Sequence, residues 1–103
     1  MADSSREQRR SQSAAVLAEL LEGELRIARS MLITAKIKSE EPKDSTAIQQ
    51  SIATAQVALA KVLRFLPQLR QYGAENSARD IEEEARAVRT ELAALIDFRV
   101  GTY

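Results

Sequence analysis

SARDIEEEARAVRTELAALIDFRV, residues 77–100, decides the fold. Within it Ala78, Ile81, Ala85, Val88, Leu92 and Leu95 are spaced 3, 4, 3, 4 and 3 apart. That is the a/d stripe of a heptad, which keeps one seam of an α-helix facing a partner helix. Asn76 or Ser77 is placed to cap the start of this helix, Asp80 lies in its first turn, and Gly101 suits a C′ stop.

Working back toward the N-terminus, the same rhythm recurs. Ile48, Ile52, Ala55, Leu59, Val62, Leu66 and Leu69 are spaced 4, 3, 4, 3, 4 and 3, and Ala58, Leu63 and Phe65 widen the stripe. A wide stripe is expected of a helix that touches two neighbours. Asp44, Ser45 or Thr46 can cap this segment, Thr46 with Gln49 as a capping box, and Gly73 is placed to end it. Pro67 lies within the pattern on its polar side. It cannot donate to Leu63, so a kink or an early end is expected there.

The first segment is longer and less regular. Its apolar residues are Ala14, Val16, Leu17, Leu20, Leu21, Leu25, Ile27, Ala28, Met31, Leu32 and Ala35. At about 100° per residue they fill an arc of roughly 180°, which suggests burial on two sides. Ile33 and Ile37 fall outside the arc, and Gly23 suggests a close helix crossing. Two polar breaks, at 39–45 and 73–77, separate the three segments. Short connections make consecutive helices antiparallel neighbours. The expected fold is therefore all-α: an up-down-up antiparallel three-helix bundle with left-handed coiled-coil-like packing. Its helices span about 14–38, 46–72 and 77–100 within a single domain, 13–103. Residues 1–12 form a polar arm, either flexible or a helix extension.

Composition narrows the function. The 103 residues carry 15 Lys+Arg and 15 Asp+Glu, with no His, Cys or Trp. Without Cys or His there is no disulfide scaffold, no thiol nucleophile and no imidazole acid or base. The commonest transition-metal ligand is also missing. No Gly-rich phosphate loop or nucleophile elbow occurs. No catalytic residue, metal ligand or cofactor is expected, and no small-molecule substrate. The first thirteen residues are too polar for a signal peptide, and no apolar run approaches a membrane span. A cytoplasmic protein is expected. Many three-helix domains share this outline, and no signature residue ties the chain to one family.

Charge placement singles out four sets of residues. Between Ser45 and Ala74 the only charges are Lys61, Arg64 and Arg70, whereas Glu75, Asp80, Glu82, Glu83 and Glu84 crowd the start of the third segment. An antiparallel hairpin sets these opposite charges side by side. Ser45–Ala60 carries no charge at all, and its outward positions are Gln49, Gln50, Thr54, Gln56 and Val57. Depletion of charge marks interface cores, so these five are the candidate interface. Glu24 falls inside the apolar arc, where a carboxylate needs a partner. Parallel first and third helices suggest Arg86 or Arg89, as a structural pair fixing register. Arg26, Arg29, Lys36 and Lys38, with no acid between Leu25 and Ser39, form a candidate basic patch. Zero net charge and few aromatics argue against general nucleic-acid binding.

The expectation is a non-enzymatic helical protein acting through a protein partner or as a homo-oligomer. Two alternatives stand beside it. One is a nucleic-acid-associated regulatory module using the basic side of helix one. The other is an accessory subunit that docks on a larger enzyme.

Overall fold

The computed structural model describes residues 2–39 and 45–101, with side-chain surroundings for 5–38 and 46–96. It holds three helices, α1 (Ala2–Ser39), α2 (Ser45–Gln71) and α3 (Glu75–Gly101), packed against one another as a three-helix bundle. The heptad positions supply the core. Ile48, Ile52, Ala55, Leu59, Val62, Leu66 and Leu69 are buried on α2, and Ala78, Ile81, Ala85, Val88, Leu92 and Leu95 on α3. They meet Ala14, Leu21, Leu25, Ala28, Leu32 and Ala35 of α1. With few aromatic side chains available, close approach of the axes fills the interior: Ala28, Ala35, Ala55 and Ala78 are wholly buried.

Ion pairs fix direction and register. Arg29 Nε lies 3.2 Å from Glu84 Oε1, and Lys36 Nζ lies 3.8 Å from Glu91 Oε2. Arg29 and Lys36 are one heptad apart, as are Glu84 and Glu91, so α1 and α3 run parallel. Lys61 Nζ lies 3.7 Å from Glu24 Oε1, and the earlier Val16 and Leu17 line a groove with the later Gln68 and Tyr72, so α2 runs antiparallel to α1. The molecule is a rod of 63 × 18 × 15 Å. At 38 residues α1 is about 57 Å long, well beyond the 27-residue α2 and α3. Residues 2–12 therefore belong to α1 as an overhang, and Ser5–Ser13 are all exposed.

The α2–α3 turn is built by one glycine. Gly73 has φ +85°. Its N–H donates to Arg70 O at 2.9 Å, and Ala74 N–H donates to Leu69 O at 3.3 Å, the two bonds of a Schellman motif. Ala74 O then accepts from Ala78 N–H at 2.9 Å, so α3 begins at Glu75. Asn76 and Ser77 are consequently inside the helix and do not cap it. The tight turn leaves no residues for an earlier cap, and Glu75 supplies the first-turn negative charge. Likewise α2 is already helical at Ser45, which puts Thr46 inside it; Asp44 lies outside the described residues. Pro67 does not end α2, which continues to Gln71 with Pro67 exposed to solvent. The α3 helix includes Gly101 itself, and positions 102–103 lie outside the described residues.

Gly23 does not mark a close crossing inside the bundle. A Cβ there would meet nothing within 4 Å. The two glycines should thus respond oppositely to alanine. Gly73→Ala forces a side chain into the left-handed region and should cost about 1–2 kcal/mol. Gly23→Ala should add about 1 kcal/mol of helix stability. Urea unfolding of dilute protein reads both, and equal signs would contradict the turn geometry.

Candidate protein-contact face

The seam between α1 and α2 carries apolar-lined openings. The Glu24–Lys61 register sets Leu20 level with Phe65 and Ser13 level with Tyr72. Two adjoining grooves result. One of about 500 Å³ is lined by Val16, Leu17, Leu20, Gln68 and Tyr72, with Arg9 at its edge. One of about 220 Å³ holds Leu17, Leu20, Leu21 and Phe65 between Glu24 and Lys61. Gln68 Nε2 donates to Tyr72 Oη at 2.9 Å and stiffens the rim. The Arg64 guanidinium lies 5.7 Å from the Phe65 ring centre.

The wide arc of α1 is not buried on both sides. Val16, Leu20 and Ile27 are 58%, 61% and 45% exposed, and Ile33 and Ile37 more than half exposed. The cause is legible in the spacing. Leu21, Leu25, Ala28, Leu32 and Ala35 form one heptad stripe and face the core. Val16, Leu20, Gly23, Ile27, Ser30, Thr34 and Ile37 form a second, at spacings of 4, 3, 4, 3, 4 and 3, on the outside. An arc read as one surface hides two stripes. On α2, Leu63 and Phe65 do not join the core either, at 44% and 38% exposed. Phe98 lies outside the described side chains.

The candidate interface on α2 is exposed throughout but is not one surface. Gln49 and Gln56 share a heptad position with Leu63, which lines a groove with α3, and with Arg70, which bonds Glu82 of α3. They stand on the α3 flank. Thr54 shares its position with Lys61 and Gln68 on the α1 flank, and Gln50 and Val57 occupy the back. Thr54 Oγ1 donates to Gln50 O at 2.9 Å, which satisfies the hydroxyl without a partner.

Glu24 is half-buried and pairs with Lys61, not with Arg86 or Arg89. The parallel register explains this. The offset that joins Arg29 to Glu84 sets Glu24 level with Arg79, far from Arg86. Arg86 instead donates to Glu82 Oε1 at 3.0 Å, and Arg89 lines the α2–α3 groove. The basic patch is divided. Arg29 and Lys36 are engaged by Glu84 and Glu91, while Arg26 is exposed and Lys38 half-buried.

Glu82 has the most distinctive electrostatics. Its hydrogen bond to Arg70 and that guanidinium's charge, with Arg86 adding to them, hold its carboxyl below the ordinary glutamate value. A depressed carboxyl contributes stability above its unfolded pKa and loses it as pH falls through the lower folded value. Glu82→Gln should therefore flatten the acid limb of a stability-against-pH curve. An unchanged limb would show that this network carries no linkage.

Among the described residues no three His, Cys, Asp or Glu side chains stand together as a metal-ion group, and no helix is long and apolar enough to cross a membrane. Comparison with known protein families, curated proteins and solved structures gives no match. The functional reading rests on this chain's own residues.

Proposed function

We propose that this protein is a non-enzymatic helical unit that acts by protein–protein contact through the outer face of α1 and the adjoining edge of α2. One observation carries the reading: a second heptad-spaced stripe on α1, on which Val16, Leu20 and Ile27 stand about half or more exposed, with Phe65 beside Leu20. Scattered exposed apolar residues are ordinary on a soluble surface. Large ones repeated at a/d spacing along a helix match the seam that packs on another helix. The divided basic patch favours this over a nucleic-acid role, because Arg29 and Lys36 already serve the bundle.

A photoreactive amino acid placed at Ser30, exposed on the outer stripe, tests the reading in living cells. Irradiation should give a protein adduct there and none from the same group at Gln71, off the stripe. No adduct from Ser30 would overturn the reading.

A further inference from the structure

We infer that the partner of this face is a second copy of the chain, its α1 packed antiparallel along the outer stripe of the first. The inference rests on the contact reading above and adds the occupant, the direction and the register.

Charge selects the direction. From Ala14 to Leu25 the α1 charges are Glu19, Glu22 and Glu24, all acidic; from Arg26 to Lys38 they are Arg26, Arg29, Lys36 and Lys38, all basic. Antiparallel pairing lays each acidic segment along the other copy's basic segment. Parallel pairing sets Glu19 beside Glu24 of the second copy, like charge against like.

Charge also selects the register. Glu19 and Arg26 share the heptad position that flanks the outer stripe, and neither makes a salt bridge among the described residues. In antiparallel coiled coils that flank meets its own kind on the second helix. One alignment pairs Glu19 with Arg26 of the second copy, and symmetry repeats the pair. Slipping a heptad one way faces Arg26 with Arg26, and slipping the other way faces Glu19 with Glu19. In the selected alignment Val16 packs with Ile27 of the second copy. Leu20 lands over its Gly23, where open space surrounds the position of a Cβ. The glycine that opens no crossing inside the bundle thus becomes the hole for a leucine knob. The contact is isologous and closes as a two-fold dimer. The α1 overhang then gains a neighbour, since Ser13 stands level with Ser30 of the second copy and Arg9 with its Thr34.

The chain has no cysteine, so cross-linking can read this register directly. Full-length Ser13→Cys and Ser30→Cys proteins are mixed and mildly oxidised. The mixed pair should form a disulfide dimer, and each protein alone should form little, because Cα atoms must approach within about 7 Å. Self-linking of Ser13→Cys as strong as mixed linking would overturn the antiparallel register. In parallel, Glu19→Arg and Arg26→Glu should each weaken self-association about tenfold, and the two together should restore it. Failure of the double reversal to restore association would overturn the charge argument. If the chain stays a monomer while Ser30 captures a different protein, the second copy is wrong and the contact reading stands. If Ser30 captures nothing, both fall.

Discussion

Leu25→Ala should cost about 2–5 kcal/mol of folding stability, whereas Ile27→Ala, two residues away, should change it by no more than about 0.5 kcal/mol in dilute protein. Leu25 is 1% exposed in the core between the helices, and Ile27 is 45% exposed on the outer stripe. Removing the Leu25 side chain loses its transfer free energy and leaves a cavity that the flanking helices only partly close. Against a total of about 5–15 kcal/mol for a domain of this kind, that loss is large. It should lower the thermal midpoint by about 4–8 °C for each kcal/mol. Urea titration of both variants under dilute conditions checks it. Equal losses would mean that the two stripes of α1 are wrongly assigned to inside and outside.

The second large effect concerns association. Leu20→Glu should leave the helical content and the dilute folding stability close to those of the parent, because Leu20 is 61% exposed within one chain. It should nevertheless weaken self-association about a hundredfold or more. Each dimer buries two copies of Leu20, at about 1.5–3 kcal/mol apiece, and the substitution also buries two carboxylates that lack partners. Every 1.4 kcal/mol is tenfold in affinity. Sedimentation across a concentration series reads the change. A variant that unfolds would place Leu20 in the monomer core, and one that still dimerises at the parent's affinity would remove Leu20 from the contact.

The two clean heptads, Ile48 to Leu69 and Ala78 to Leu95, carried most of the fold in the sequence, because alanine, leucine and valine at that spacing give each helix one seam to bury. Helix ends were less legible. The start of α3 is set by the Schellman turn at Gly73, and the first helical hydrogen bond, from Ala78 N–H to Ala74 O, leaves Asn76 and Ser77 inside the helix. The pairing of Glu24 was readable only in part. Its need for a cation comes from its place in the apolar arc, but choosing Lys61 over Arg86 requires the register between helices, which no single helix encodes. The outer stripe was present in the sequence as spacing and was obscured by its neighbour. On a 38-residue helix, two seams centred about 150° apart read as one broad arc because Leu17 and Met31 fill the gap between them.

The most direct single measurement is the solution mass of the full-length chain by light scattering over a wide concentration range at low and high salt. Contact through an apolar stripe with flanking Glu19–Arg26 pairs predicts twice the 11.4 kDa chain mass at both salts, with modest weakening at high salt as those pairs are screened. A mass of 11.4 kDa at every concentration and both salts would contradict self-association through the outer stripe of α1.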